Sequence, residues 1–156
     1  MNPLLSAKTL VHRKILRLRT DRAPQFLDIT PEVKQFVMES GVQEGMVLIF
    51  SCHTTAAICI NENEPLLLRD MEEFLKRLAP RELYYCHNDF GIRTHNMTPE
   101  ECPNAHAHLQ HLLLGTSEAV PIVEGKLWLG QWQRIFLVEL DRPREREVLL
   151  QVVGYA

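Results

Sequence analysis

Apolar residues recur along this chain with periods that change from segment to segment, and each change marks an element. Residues 12–20 alternate charge with Ile15, Leu16 and Leu18, the pattern of an opening strand, and residues 26–29 offer a strand to pair with it. A helix start follows. Thr30 suits the N-cap, Pro31 the first helical position, and Val33, Phe36 and Val37 keep helical spacing until Gly41 stops it. Gly45 reads as a turn. Residues 46–60 read as one long strand, or two collinear ones, interrupted near His53 by the polar run 51–55.

The spacing predicts a second helix with Asn63 as cap, Pro65 in its first turn, and an apolar stripe of Leu67, Leu68, Met71, Phe74, Leu75 and Leu78 ending at Pro80. Residues 83–87 read as a short strand, 88–103 as a loop, and 105–114 as a third helix closed by Gly115 in a left-handed cap. On that helix Asn104, His108 and His111 share a face, with Leu109, Leu112 and Leu113 on the core side. His106 stands about 200° around the axis from His108, so a regular helix cannot aim both into one pocket. Residues 120–123, 126–129, 132–140 and 147–153 then read as an antiparallel meander. Strands and helices that come in groups give an α+β class: one domain over residues 1–156, an antiparallel or mixed sheet with about three helices on one face.

Composition narrows the class of function. With 156 residues, 46% hydrophobic and 24% charged, the chain has the make-up of a soluble globular protein that folds without disulfides or metal, so a bound metal would be functional. No apolar run reaches the roughly 18 residues of a membrane span, and Met1 to Ser6 lacks a signal-peptide core, which points to the cytoplasm. A net charge of -3 argues against a nucleic-acid surface, and the run 141–147 alternates sign as a solvated turn between strands would. Cys52, Cys59, Cys86 and Cys102 form no C-x-x-C pair and read as free thiols, Cys59 as a small core residue.

Three polar islands break the apolar pattern: His53-Thr54-Thr55, His87-Asn88-Asp89 and Asn104-Ala105-His106-Ala107-His108. An imidazole is costly to bury without a hydrogen-bond partner or a metal, so three such breaks suggest one shared site. On a strand, Ser51, His53 and Thr55 face one side. His53, His87 and His108, from separate segments, would leave an open position on a divalent metal, zinc or magnesium, as a catalytic rather than structural site does. Asp89 can orient an imidazole or help hold the ion, with an Asx turn as its alternative role. His111 reads as solvated or structurally bonded. Asn61 and Glu62 are candidates for substrate contact beside the capping Asn63 and Glu64, and Gly130-Gln131-Trp132-Gln133 sets an indole and two carboxamides where a heteroaromatic ring or phosphate would fit.

The run His53-Thr54-Thr55-Ala56-Ala57, then Asn61-Glu62-Asn63, His87 with Asp89, Ala107-His108, the segment from Gly125-Lys126-Leu127-Trp128 to Gln133, and Glu139 resembles the YjbQ family, commonly labelled secondary thiamine-phosphate synthase. The resemblance spans about residues 15–154. It implies an α+β homotrimer with the site near a subunit boundary, and a weak activity joining a pyrimidine diphosphate to a thiazole phosphate to give thiamine phosphate and pyrophosphate. By the same resemblance His53, His87 and His108 match the family's histidines, Asn61 and Glu62 its N-E pair, and Gln131, Trp132 and Gln133 its W-Q segment. Arg142 stands where the family's D-G-P-R turn has glycine.

Departure of pyrophosphate develops negative charge that a divalent cation, a protonated histidine or an arginine would stabilise. The chain has no Asp-rich diphosphate motif; Asp70, Asp89 and Glu62 are the acidic residues near the motifs, so the named activity reads as secondary to another. Two functions follow. One is a small metal-assisted enzyme, transferase or hydrolase, acting on a phosphorylated heteroaromatic metabolite through His53, His87 and His108. The other is a trimeric ligand-binding or regulatory module that holds a phosphorylated small molecule without chemistry.

Overall fold

Short connections at residues 20–24, 52–55, 128–132 and 140–144 each carry the chain from one sheet to the other. The structure is a computed structural model that describes residues 8–156, so Met1 to Ser6, on which the leader expectation rests, lies outside the described residues. Those residues form strands β1 (Thr9–Arg19), β2 (Gln25–Asp28), β3 (Glu44–Ser51), β4 (Ala56–Glu62), β5 (Ser117–Val123), β6 (Lys126–Leu127), β7 (Gln133–Glu139) and β8 (Glu145–Tyr155). The helices are α1 (Thr30–Ser40), α2 (Pro65–Leu78) and α3 (Ala105–Leu114). A five-stranded sheet runs β1-β8-β3-β5-β6 and a three-stranded sheet β2-β7-β4, with every pairing antiparallel.

The α+β class holds, with two sheets where the sequence pattern suggested one. β2 pairs with β7 rather than β1, Gln25 lying opposite Glu139. β3 and β4 are not collinear, because residues 52–55 turn the chain from the large sheet into the small one. The C-terminal third is not a meander either: β7 is the middle strand of the small sheet, and β8 inserts between β1 and β3. The reason is burial on both faces. Ile135 and Leu137 point into the core between the sheets while Phe136 and Val138 point the other way, and a strand apolar on both faces belongs at the centre of a covered sheet.

Between the sheets lie Val47, Ile49, Ile58, Val120, Ile122, Leu137, Val148, Leu150 and Val152, closed off by Val33, Phe36 and Val37 of α1. The outer face of the small sheet, Ala57, Phe136 and Val138, is covered by Leu75 of α2 and Ala107 of α3, with Phe26 edge-on to Phe136 at 5.8 Å. The helices therefore occupy two places rather than one face. No helix among the described residues is long and apolar enough to cross a membrane.

Local signals were mostly displaced by one residue. Thr30 lies inside α1, where its hydroxyl accepts from the Ile135 N–H at 2.8 Å, and the Asp28 carboxylate accepts the Thr30 N–H at 2.9 Å. Glu64, not Asn63, caps α2, accepting from the N–H groups of Leu66 and Leu67; Asn63 donates to Asp28 instead. Gly115 has φ +90° with ψ 176°, outside the left-handed helical cap. Gly45 is not a turn: it sits in β3 directly opposite Gly154 of β8, and a Cβ on either would run into the backbone of the facing strand.

Candidate active site

The turn at residues 52–55 is fastened to the turn at residues 140–144, which returns the chain from the small sheet to the large one, by a buried ion pair. Arg146 is in phase with Val148, Leu150 and Val152 along β8, so its side chain enters the core, 1% exposed. Its Nε donates to Glu139 at 2.7 Å and one terminal nitrogen donates to the other Glu139 oxygen at 2.6 Å. The same nitrogen donates to the Thr55 carbonyl at 3.2 Å and its hydroxyl at 2.9 Å. Glu139 also accepts from the Thr20 hydroxyl and the N–H groups of Leu140 and Asp141. Burial raises the Glu139 carboxyl, but these donors together hold it below its ordinary value. Of the charged run 141–147, residues 141–144 form the expected turn, whereas Glu145–Glu147 open β8, and Asp141 and Arg146 are buried rather than solvated.

His53 is part of this fastening. Its Nε2 accepts the Glu147 N–H at 2.9 Å, which fixes the proton on Nδ1. Burial, then Arg146 and Arg144, lowers its proton affinity. Thr54, beside it, faces an open cleft of about 670 Å³ shared with His87, Arg93, His95, Glu101, Asn104 and His108.

Two of the three expected imidazoles meet there. His87 and His108 are packed edge to face, ring centroids 4.8 Å apart and planes at 74°. Burial lowers the proton affinity of His108 first, and His87 adds to it. The Nε2 of His87 and the side-chain oxygen of Asn104 are buried without a hydrogen-bond partner. Residues 83–87 form no strand; the chain makes a single 3-10 turn at Cys86–Asn88, and Tyr85 folds back to donate to the Pro80 carbonyl. Asn88 then accepts from the N–H groups of Asn104 and Ala105, both at 3.0 Å, so the loop caps the helix that carries His108.

Arg93, which sequence reasoning missed, is the hub of that loop. It donates to Glu101 at 2.8 Å and to the carbonyls of His87, His95 and Asn96. Its guanidinium keeps Glu101 below the ordinary carboxylate range, against a smaller effect of burial. An arginine isolated in a polar loop beside a glutamate eight residues on was the available signal.

Other expected residues lie elsewhere. Asp89 turns away from His87: its carboxylate accepts from the Gly91 N–H at 3.0 Å and the Tyr84 hydroxyl at 3.0 Å, the Asx-turn alternative. Asn61 accepts from the Glu62 N–H, Gln133 from the Gly130 N–H, and Trp132 is 64% exposed; none of Asn61, Glu62, Gln131, Trp132 and Gln133 lines the cleft. They stand at the far end of β4 and β7, where Glu62 faces Gln133, about 20 Å along the strand from the turn at His53. On α3 the leucines are solvent-facing, Leu112 76% and Leu113 66% exposed, while His106, Ala107 and Gln110 are buried. The small side chains Ala105 and Ala107 let the helix lie against β4, so the face with the least bulk packs and the leucine face does not. Among the described residues no three His, Cys, Asp or Glu side chains are grouped to hold a metal ion. The zinc or magnesium expected from His53, His87 and His108 finds no such donor set among the described residues. All four cysteines are free, and burial, with Glu118, pushes the Cys59 thiol up to about 12.

Comparison with known proteins fits this architecture. The structure superposes on a YbjQ-like protein of unknown function from Sulfolobus solfataricus P2 with TM-score 0.85 at 38% identity, covering 94% of this chain and 99% of that one. A hypothetical protein from Aeropyrum pernix K1 superposes with TM-score 0.81 at 37% identity, covering 92% and 98%. In sequence, the chain is 40% identical over 144 residues to a UPF0047 protein of Methanothermobacter thermautotrophicus, 92% of this chain and 93% of that relative. YugU of Bacillus subtilis, also a UPF0047 protein, is 34% identical over 90% of this chain and 98% of its own length. The family described as UPF0047 protein YjbQ-like matches residues 14–155, and the chain belongs to that family.

Proposed function

We propose that the protein is a small enzyme that moves a proton on a phosphorylated metabolite held in the cleft between the 52–55 turn and α3, with His108 and His87 as the acid–base pair. The observation that carries this is the contact of the two imidazoles at 4.8 Å at the edge of an open cleft of about 670 Å³. Burial lowers the proton affinity of His108 and so favours the neutral imidazole, the state that accepts a proton; His87 packs against its ring. Thr54 and the unpartnered Asn104 oxygen supply polar contacts for orientation. The phosphorylated heteroaromatic class of ligand is the one the family resemblance implies.

Displacement of a diphosphate fits the cleft less well. It demands positive charge that is not already neutralised, and the arginine in the lining, Arg93, is paired with Glu101. The main activity on this reading is therefore proton transfer, in a hydrolase or transferase, and any thiamine-phosphate synthesis is secondary. The homotrimer implied by the resemblance belongs to the same reading: a neighbouring subunit could deliver the Asn61–Glu62 and Gln131–Trp132–Gln133 segments that lie about 20 Å away within one chain. A cytoplasmic setting agrees with the free thiols.

The test is a thermal-shift screen of phosphorylated metabolites followed by phosphorus NMR on incubated mixtures. A ligand that stabilises the wild type should be converted by it, while His108→Asn retains the shift and loses about 10²–10⁴ in rate. Undiminished turnover by His108→Asn would overturn the assignment. Saturable binding with the ligand unchanged after prolonged incubation would favour the ligand-binding or regulatory module over an enzyme.

A further inference from the structure

A second cavity, of about 250 Å³, lies behind the same helix, on the side opposite the imidazole pair, and is lined by Lys76, Arg81, Glu82, His106, Gln110 and Leu140 among others. We propose that it is a separate binding site for a small zwitterion of the amino-acid class, whose amino group donates to His106 and Gln110 while its acid group meets Lys76 and Arg81.

Two buried polar atoms without partners point to such a ligand. Gln110 is 2% exposed, and its amide nitrogen donates to the Leu75 carbonyl at 2.8 Å and the Ala79 carbonyl at 3.4 Å. Both partners are carbonyl oxygens, so the amide cannot be reversed, and the atom left over is the oxygen, buried and unpartnered. His106 is 5% exposed. Its Nδ1 is buried with no partner, and in the Nε2–H tautomer it offers a lone pair to a donor. Buried polar atoms are ordinarily satisfied, and two on neighbouring turns of one helix, at one cavity, are an exception that a donor would resolve.

At about 250 Å³ the cavity has room for a small organic molecule as well as for several waters. The rim is charged in a complementary sense. Arg81 has no ion-pair partner among the described residues, and Lys76 is held only by an exposed contact to Glu73 three residues away. An ammonium donating inward with a carboxylate or phosphate reaching outward thus meets acceptors at one end and cations at the other, with Glu82 beside the amine to offset its charge. The separation of about 200° between His106 and His108 around α3 keeps this site apart from the cleft.

The experiment is isothermal titration of the full-length protein with each of the common amino acids and with phosphoethanolamine. At least one should bind saturably, and Arg81→Glu, an exposed change that spares the fold, should weaken it roughly tenfold or more. Gln110→Leu, which removes the acceptor but keeps the volume, should do the same, with circular dichroism checking that the helix persists. His108→Asn should bind the probe with unaltered affinity, which separates this site from the proposed catalytic one. No binding by any member of the panel at millimolar concentration, or binding that survives both Arg81→Glu and Gln110→Leu, would overturn the proposal.

Discussion

Replacing Arg146 by methionine tests whether the buried pair holds the turns at residues 52–55 and 140–144 together. The substitution keeps the side-chain length and removes the charge. Glu139, 0% exposed, then loses donors at 2.7 and 2.6 Å and keeps the Thr20 hydroxyl at 3.0 Å and the N–H groups of Leu140 and Asp141 at 3.1 and 2.9 Å. Thr55 loses two further bonds, at 3.2 and 2.9 Å. A hydrogen bond to a charged group contributes about 1.5–3 kcal/mol, yet the bonds to Glu139 are not independent. Removing one partner of a buried pair costs about 3–5 kcal/mol in total. In a chain of this size each kcal/mol lowers Tm by about 2–4 °C, so the variant should melt about 6–20 °C below the wild type. Urea unfolding monitored by circular dichroism gives the free energy directly, with an unchanged slope confirming a two-state comparison. The double variant Arg146→Met with Glu139→Leu removes both charges and should recover much of the loss, because an unpaired buried charge costs more than an apolar replacement. A loss below about 1 kcal/mol in the single variant, or a double variant as unstable as the sum of the singles, would refute the reasoning.

Two other outcomes follow from the same geometry. His53, His106 and His108 all have lowered proton affinity, so the unfolded chain takes up protons from about pH 6.5 downward while the native state resists; stability is full above that value and falls as pH drops through it toward the native values, and melting curves from about pH 8 to about pH 5 should record the decline, whereas a Tm independent of pH across that range would contradict the burial of these rings. Gly45→Ala should cost about 1–3 kcal/mol, since its Cβ would press on the Val153–Gly154 backbone and force β3 and β8 apart; wild-type stability in urea would mean that the strands are spaced more widely than described.

Helical segments were legible because their signals are local. The apolar spacing and the Pro31 and Pro65 starts place α1 and α2, and the bounds of α3 follow from Ala105 and Gly115. What the spacing could not supply was direction. Leu109, Leu112 and Leu113 make an apolar stripe, but α3 packs by its alanine face because β4 offers Ala57 and little depth for anything larger. The sheets were harder still. Strand pairing is non-local, and alternation alone does not say which neighbour a strand takes, so the partner of β2 and the place of β8 could not be read from residues 12–20 and 147–153. The candidate site followed the same division: His87 and His108 come together because the loop between them caps α3 through Asn88, a local device, whereas His53 depended on a long-range register.

That register was nevertheless written into the phase of two strands. Counting by twos along β8 puts Arg146 with Val148, Leu150 and Val152, and along β7 puts Glu139 with Ile135 and Leu137. An ionisable residue in phase with the core is too costly to leave alone, and two of opposite sign on consecutive strands can satisfy each other only if the turn between them brings their ends together. Glu139 lies opposite Ala56, the first residue of β4, so the same pair necessarily reaches Thr55 and fixes the turn that presents Thr54 to the cleft. His53 holds β8 by the Glu147 N–H, and on the proposed function it serves the site through position while His87 and His108 carry the chemistry. Arg146 and His53 belong together as positioning residues, and their loss should alter the cleft by releasing its wall rather than by removing a reacting group.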